Sequence, residues 1–298
     1  MLAITKSMAL KGLDGYLVSI EVDISKGMPD FQIVGLPDTT VKESKERVKT
    51  AIRNSNIEFL SRKIIVNLSP ANQRKEGSVF DLPIAVGIVI ASQNIENSKL
   101  KKILEETIFI GELSLNGNIE KVKGVLPIVI EAKKLGIKKI ILPEENAKEA
   151  VIVNGIDILP VKNLEEVILF LEDKKDIEIK ENEELNFCNN IEYEIDFSEV
   201  KGQESVKRAL EIASSGGHNC ILIGSPGSGK TMLARRMPTI LPDIKIEEAL
   251  EITKIYSIVG LTSTEEPVIT KRPFRSPHHT ITQTSLVGGG VYPKPRGN

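Results

Sequence analysis

The stretch GSPGSGKT, at positions 224–231, contains the residue types and spacing that point most clearly to chemistry. It matches the pattern GxxxxGK[ST] at each defined position. Its glycines would let backbone N–H groups turn toward bound phosphates, in a conformation that most other residues avoid. Lys230 would place an ammonium on the outer phosphates, and Thr231 would offer its hydroxyl to Mg²⁺. The stretch therefore predicts a nucleotide site at Gly224, Ser225, Pro226, Gly227, Ser228, Gly229, Lys230 and Thr231.

A strand before this loop and a helix after it are needed to position the site. The run CILI predicts a short buried strand, and MLARRM predicts the start of the helix. The N-terminal end of that helix would add partial positive charge beside the phosphates. Cys220 falls in the strand pattern and Cys188 in a polar stretch, so we expect at least one of them to fill a core. Since the chain has no CxxC pair, we expect reduced thiols.

The composition is that of a globular protein large enough for two domains. Of its 298 residues, 41% are hydrophobic and 27% are charged. No apolar run reaches the roughly 18 residues that cross a bilayer, and the N-terminus lacks a secretory pattern. We therefore predict a cytoplasmic protein without a membrane contact. The net charge of −2 argues against a passive DNA-coating protein, but not against DNA held by a local basic segment.

Hydrophobic periodicity divides the chain into an α/β domain at residues 1–172, an acidic linker at 173–194 and a second domain at 195–298. In the first domain, YLVSIEVDI, DFQIV, KIIVNLS and IKKIILP predict strands. FDLPIAVGIVIAS is apolar nearly all round and predicts a buried helix, and VLPIVIEAKKLG and NLEEVILFLED predict two more helices. Thr40 and Glu43 have the spacing of a capping box for a further helix. The pair Asn116 and Gly117 predicts a hairpin with a type I′ turn.

Residues upstream of the phosphate loop indicate which nucleotide it holds. DFSEVKGQESVKRALEIASSGGHN resembles the entry segment of AAA+ ATPases, in which an apolar residue and a Gly-Gln pair approach the adenine. By that resemblance, ATP is the nucleotide, and Val200, Gly202 and Gln203 line the base pocket. The alternative is a plain turn and helix cap, which Gly202 could equally form.

Several further motifs, in fixed order, carry a resemblance to one family. GHNCILIGSPGSGKTMLARRMPTILP, SIVGL, ITKRPFRSPHHT and LVGGG, with FQIVGLPDTTVKESKERVKTAI and FIGELSLNG upstream, resemble the magnesium-chelatase-like AAA+ ATPases of the ComM/YifB family. The resemblance implies a Lon-protease-like α/β N-terminal domain followed by a partial P-loop (AAA+) α/β domain. It also implies a hexameric motor that uses ATP and Mg²⁺ to remodel DNA by branch migration in natural transformation and recombination. The alternatives are a magnesium-chelatase motor subunit and a non-enzymatic nucleotide-binding or interaction fragment.

The likeness to Lon proteases raises the question of peptide cleavage. The proteases that this domain resembles use a Ser-Lys dyad, with the serine in a KDGPSAG-like segment. Aligned without gaps, KEGSVFDLP places Val79 at the nucleophile position, with Ser78 one residue early. GELSLNGNIEKVKGVLP places Leu126 at the position of the basic residue, and Lys121 or Lys123 would fit only with a gap. An apolar side chain cannot accept the serine proton, so we predict a scaffold or partner-binding domain and not a protease.

A basic segment near the C-terminus is a candidate contact for nucleic acid. ITKRPFRSPHHTIT places Lys271, Arg272 and Arg275 around Phe274, followed by His278 and His279. Cations beside an aromatic ring suit a single strand, which needs phosphate neutralisation and base stacking. From spacing alone a solvated loop is the simpler interpretation, and the family resemblance favours DNA. Adjacent histidines without a nearby Cys or acidic partner argue against zinc.

A complete ATPase of this class also needs an apolar strand ending in Asp-Glu, which holds Mg²⁺ and activates water. No such strand follows Thr231 in this sequence. We therefore expect a chain cut short before that strand, which binds ATP but does not hydrolyse it efficiently. The apolar face of CILI would then be incompletely covered.

Overall fold

The N-terminal half of the protein, residues 2–181, contains two main sheets and the helices that cover them. The computed structural model describes residues 2–93, 98–181, 193–263, 265–277 and 280. The first sheet has the order β1-β2-β4-β3, in which β3 and β4 are parallel and the other neighbours antiparallel. Its strands are β1 (Leu2–Lys11), β2 (Asp14–Ser25), β3 (Asp30–Val34) and β4 (Lys63–Ser69). The predicted strand at YLVSIEVDI is confirmed as part of β2, and its alternate residues Val18, Ile20, Val22 and Ile24 are buried.

Two helices join this sheet to the core. They are α1 (Thr39–Asn54) and α2 (Asp81–Gln93), and α2 packs on β1 and β2. Every residue of α2 from Asp81 to Ala91 is buried, as predicted for a helix that is apolar nearly all round. The predicted capping box of α1 is wrong. Asp38 caps this helix, since its carboxylate accepts a hydrogen bond from the Val41 N–H at 2.7 Å, ahead of Thr40.

The second sheet is parallel, with the strand order β5-β8-β9, and it carries the remaining helices of the N-terminal half. In chain order the elements are α3 (Ser98–Glu106), β5 (Thr107–Phe109), β6 (Glu112–Leu113), β7 (Ile119–Glu120), α4 (Val125–Lys134), β8 (Lys139–Pro143), α5 (Ala147–Ala150), β9 (Asp157–Val161) and α6 (Leu164–Leu171). The predicted strand at β8 and helices at α4 and α6 are confirmed. One continuous hydrophobic core, from Ala3 to Leu171, joins the two sheets.

The hairpin β6–β7 forms as predicted, but its turn differs from the expected type I′. Leu113 pairs with Ile119, and the Ser114 N–H donates to the Asn118 carbonyl at 3.0 Å, which leaves a three-residue loop. A type I′ turn needs positive φ at both central residues. Here Gly117 has φ +89° and Asn116 does not share this conformation. The Asn116 side chain instead accepts a hydrogen bond from the Asn118 N–H at 3.0 Å and so stabilises the loop.

The C-terminal half, residues 193–277, contains helices without a strand in its described residues. They are α7 (Glu204–Gly216), α8 (Lys230–Arg236) and α9 (Ile246–Val259), with short 3-10 helices at Phe197–Glu199 and Met237–Ile240. A small core joins Phe197, Val200, Leu210 and Leu233. The predicted helix after the phosphate loop is confirmed as α8.

The predicted buried strand CILI is wrong. Its residues form no strand, Ile221 is 82% exposed, Ile223 is 88% exposed and Cys220 is also exposed. A strand forms only where a neighbour completes its hydrogen-bond ladder, and no strand within the described residues pairs with this run. The apolar face is uncovered, as expected for a run of this kind without partner strands.

Helix α9 lies against the N-terminal half, although it follows the phosphate loop in sequence. Its residues Ala249, Thr253 and Ser257 are buried, and α9 packs on α4. The Gly124 N–H donates to the Ser257 carbonyl at 3.1 Å. The two halves are therefore in direct contact through α4 and α9. Within the described residues, no helix is long and apolar enough to cross a membrane.

Candidate functional site

The phosphate loop closes around the side chain of Lys230. The Lys230 ammonium donates hydrogen bonds to the Gly224 carbonyl at 2.8 Å, the Ser225 carbonyl at 2.7 Å and the Ser228 hydroxyl at 3.2 Å. The lysine at the start of α8 thus points back into the loop that precedes it. A bound phosphate would compete for the same ammonium, because phosphate oxygens are stronger acceptors than neutral carbonyls.

Two glycines give the loop its path. Gly227 has φ +79° and Gly229 has φ +85°, in the left-handed region that other residues rarely occupy. A Cβ atom at Gly229 would lie 3.3 Å from the Gln203 amide nitrogen. Both positions therefore need glycine for their backbone conformation, and Gly229 needs it also for the close approach of Gln203.

Gln203 is the one residue of the predicted base pocket whose side chain contacts the loop in the described structure. Its amide Nε2 donates to the Ser228 carbonyl at 3.1 Å. Together with Val206, Leu222, Ile223 and loop residues, Gln203 lines a cavity of about 270 Å³. Sequence reasoning had paired it with Val200 and Gly202.

Val200 and Gly202 lie outside that cavity. Val200 is 2% exposed and packs in the small core with Phe197, and its carbonyl accepts a hydrogen bond from Lys207 at 3.0 Å. Gly202 has φ +73°, with open space where a side chain would begin. Gly202 thus occupies a turn before α7, and the apolar lining near Gln203 comes instead from Val206 of α7.

The remaining loop residues, Pro226 and Thr231, are exposed. Within the described chain, the Thr231 hydroxyl forms no hydrogen bond, so it can serve as a ligand. The loop therefore offers an ammonium, a hydroxyl and a glycine-shaped backbone, with no carboxylate among the residues that line its cavity. This donor set fits an Mg²⁺-bound nucleoside triphosphate.

Two arginines of the basic segment already have partners within the protein. Arg272 donates to the Pro242 carbonyl at 2.8 Å and forms an ion pair with the Glu248 carboxylate at 2.9 Å. Arg275 donates to the Tyr256 hydroxyl at 2.6 Å, and its guanidinium lies 5.1 Å from the centre of the Tyr256 ring. Both arginines are thus bound to α9.

Lys271 and Phe274 are the described residues of this segment that face solvent without such contacts. Lys271 is exposed and forms no ion pair with a described residue, and Phe274 is 41% exposed. His278 and His279, which the sequence also proposes for this segment, lie outside the described residues. The structure therefore separates an exposed cation and ring from two arginines that hold the segment to α9.

In the N-terminal half, the positions of the Lon dyad carry the apolar residues that the alignment indicates. Leu126 is fully buried, and Val79 is 9% exposed. The neighbouring Ser78 donates its hydroxyl proton to the Glu112 carboxylate. Lys121, the possible replacement, donates to the Thr262 carbonyl at 3.2 Å. Neither Ser78 nor Lys121 bonds the other in the described structure.

Sequence reasoning missed Glu149, which is buried at the contact between the two halves. Its Oε1 accepts hydrogen bonds from the Leu126 N–H at 3.0 Å and from the Ser257 hydroxyl of α9. Burial raises the pKa of the Glu149 carboxyl, and the bond from Ser257 opposes this shift. A single acidic residue in the sequence ENAKEAVIV carries no pattern that would distinguish it from an exposed one.

A phosphate loop followed by a helix, joined to a mixed α/β N-terminal half with a parallel sheet, is the arrangement of a P-loop protein. Residues 20–146 match the family model for subunit ChlI of Mg-chelatase, and residues 196–297 match the model for magnesium chelatase, subunit ChlI. The chain belongs to the magnesium-chelatase-like AAA+ family that includes ComM and YifB.

The similarity to two relatives, YifB and ComM, covers nearly the whole chain. YifB of Escherichia coli (strain K12) is 43% identical over 294 residues, which cover 99% of this chain and 56% of YifB. Competence protein ComM of Haemophilus influenzae is 40% identical over 298 residues, which cover 99% of this chain and 57% of ComM. A peroxisomal Lon protease homolog 2 of Oryza sativa is 29% identical over 170 residues, which cover 52% of this chain and 19% of that protease. The chain thus spans somewhat more than half the length of ComM and YifB.

Proposed function

We propose that this chain binds ATP with Mg²⁺ at residues 224–231, as the nucleotide site of a cytoplasmic DNA-remodelling motor. The observation that supports this most directly is the Lys230 ammonium, which lies within 2.8 Å of two carbonyls inside the glycine loop. On nucleotide binding, Lys230 would exchange these carbonyls for the outer phosphates. Thr231 would contribute its hydroxyl to Mg²⁺, which neutralises phosphate charge when bound.

Gln203 would hold the base side of the site, since it joins the segment before α7 to the loop at Ser228. Val206 and Leu222 would supply apolar contact there. Val200 and Gly202 would act indirectly, through the core and the turn that place Gln203. Because residues 232–298 contain no apolar strand closing in Asp-Glu, we expect this chain to bind ATP with little turnover.

A titration with a fluorescent ATP analogue tests the nucleotide proposal. Lys230→Ala removes a charge-assisted hydrogen bond, worth about 1.5–3 kcal/mol, and should weaken binding by roughly tenfold or more. Lys101→Ala, on the exposed surface of α3, is the matched control and should leave affinity unchanged. Equal binding by the wild type and by Lys230→Ala would contradict the proposal.

The DNA part of the proposal depends on the likeness to competence protein ComM and on the exposed pair Lys271 and Phe274. Lys271 would neutralise a phosphate, and Phe274 would stack on a base. Arg272 and Arg275 would keep the segment on α9, and in the whole protein, which we expect to form a hexameric ring, the segment would face the strand.

Anisotropy of a labelled single-stranded oligonucleotide, measured over a series of salt concentrations, tests this part separately. Lys271→Ala should lower the slope of log affinity against log salt by about one, because one phosphate contact is lost. Phe274→Ala should weaken binding by about 1–3 kcal/mol at any salt concentration. Lys101→Ala is again the control, and an unchanged slope for Lys271→Ala would overturn the assignment.

A further inference from the structure

A cavity of about 670 Å³ lies where the N-terminal half meets α9, apart from the nucleotide loop. Its volume falls in the range of about 300–1,000 Å³ that is typical of ligand pockets. Apolar side chains form much of its lining, among them Met8, Val79, Val122 and Ile128, and Ile258 of α9 contributes from the other half. A cavity at such a junction is a common position for a binding site.

The charged residues of this cavity leave an excess of positive charge. Four of its lining residues are basic and two are acidic, and both acidic groups have partners in the cavity. Glu76 lies 3.7 Å from Arg74, and Glu112 accepts the hydrogen bond from Ser78. Two of the basic residues, Lys11 and Lys123, are exposed. Neither forms an ion pair or a hydrogen bond with a described residue. The cavity therefore favours a ligand with negative charge.

Gln73 adds a requirement for a hydrogen-bond donor. Gln73 lines the cavity, and its buried side-chain Oε1 has no hydrogen-bond partner in the described structure. An unsatisfied buried acceptor costs about 1–3 kcal/mol, which a donor on a ligand would recover. A backbone N–H is such a donor, whereas the phosphates of a nucleic acid are acceptors only.

We propose that this cavity binds a peptide segment of a partner protein in which acidic and apolar residues alternate. An apolar side chain would pack among Met8, Val79 and Ile128, the carboxylates would pair with Lys11 and Lys123, and a backbone N–H would donate to Gln73. The site binds the peptide without cleaving it, because Val79 and Leu126, at the two positions of the Lon dyad, supply neither a nucleophile nor a base.

Fluorescence anisotropy of a labelled short peptide of alternating glutamate and leucine tests the proposal on the full chain. We expect saturable binding, and we expect the double variant Lys11→Glu and Lys123→Glu to lose about tenfold or more in affinity, since two charge-assisted contacts become repulsive. The matched control, Lys101→Glu with Lys133→Glu, alters two exposed lysines outside the cavity and should change affinity less than about twofold.

A second variant tests the donor requirement without a change in charge. Gln73→Met keeps the side-chain length and removes the buried acceptor. It should lower the affinity for the peptide by roughly 2–12-fold, which corresponds to one neutral hydrogen bond. All variants should retain the circular dichroism and the ATP-analogue binding of the wild type, which separates this proposal from the nucleotide site.

Each of the following results would overturn the proposal. One is no binding of the glutamate–leucine peptide by the wild type. Another is equal binding of a glutamate–serine peptide, which would show charge attraction without the apolar contact. A third is displacement of the peptide by a single-stranded oligonucleotide whose own affinity falls in the Lys11 and Lys123 double variant, which would make the cavity a nucleic-acid site.

Discussion

Replacement of Glu149 tests whether a single buried carboxylate holds α9 on the N-terminal half. Its Oε1 accepts from the Leu126 N–H at 3.0 Å and from the Ser257 hydroxyl. Glu149→Ala would leave both donors buried and unpaired, at about 1–3 kcal/mol each, so we expect a total loss of about 2–6 kcal/mol. The part that falls on Ser257, about 1–3 kcal/mol, should appear as weaker docking of α9.

Glu149→Gln separates the hydrogen bonds from the charge. The amide keeps the Oε1 acceptor for both donors but cannot ionise. Because burial raises the pKa of the Glu149 carboxyl, the native state holds this proton at a pH where the unfolded state has lost it. The stability contributed by Glu149 is thus full below its ordinary pKa and falls as the pH rises through the raised value. At neutral pH, Glu149→Gln should be at least as stable as the wild type, and this slope should disappear.

Urea unfolding at pH 5 and pH 8 measures the total loss of stability and its pH dependence. Circular dichroism follows the unfolding, since the chain has no tryptophan. Hydrogen–deuterium exchange over residues 246–260 measures the docking of α9. Glu149→Ala should speed exchange there about 5–150-fold, which corresponds to 1–3 kcal/mol. Glu145→Ala, a nearby exposed carboxylate, is the control. The reasoning is refuted if the Gln variant loses as much stability as the Ala variant, or if exchange in α9 is unchanged by Glu149→Ala.

Two further substitutions test the packing on each side of the molecule. Arg47→Leu removes the guanidinium that lies 2.6 Å from the buried Asp81 carboxylate, and should lower the free energy of unfolding in urea by about 3–5 kcal/mol. Adding Asp81→Asn should recover part of that loss. If the effects of the two substitutions simply add, the pairing is contradicted. Ile221→Ala should change stability by less than about 0.5 kcal/mol because the side chain is 82% exposed; a loss of about 2–5 kcal/mol would show instead that CILI is buried.

The parts of the fold that the sequence predicted well are those whose pattern repeats over many residues. The alternation in β2 and the continuous apolar run of α2 each report which face is buried, and the structure buries those faces. The phosphate loop is similar, because its glycines and Lys230 determine a local backbone path. Gln203 reaches this loop from upstream through its hydrogen bond to the Ser228 carbonyl, and its contact with a base stays a prediction.

The features that the sequence did not predict depend on partners distant in the chain. CILI has the composition of a strand, but a strand needs a neighbouring ladder, and composition says nothing about whether that neighbour is present. Glu149 accepts a hydrogen bond from Ser257, which lies 108 residues further along the chain. The cap of α1 is a smaller case, since Asp38 and Thr40 are both good capping residues and the backbone path decides between them.

Helix α9 determines how the motif ITKRPFRSPHHT should be interpreted. Its Glu248 and Tyr256 hold Arg272 and Arg275, and its Ser257 is held in turn by Glu149. A guanidinium that already pairs with a carboxylate attracts phosphate weakly, because its charge is compensated at short range. The basic residues of the motif are thus unequal. Arg272 fixes the segment to a helix that is anchored on the N-terminal half, and this anchoring presents Lys271 in a defined place.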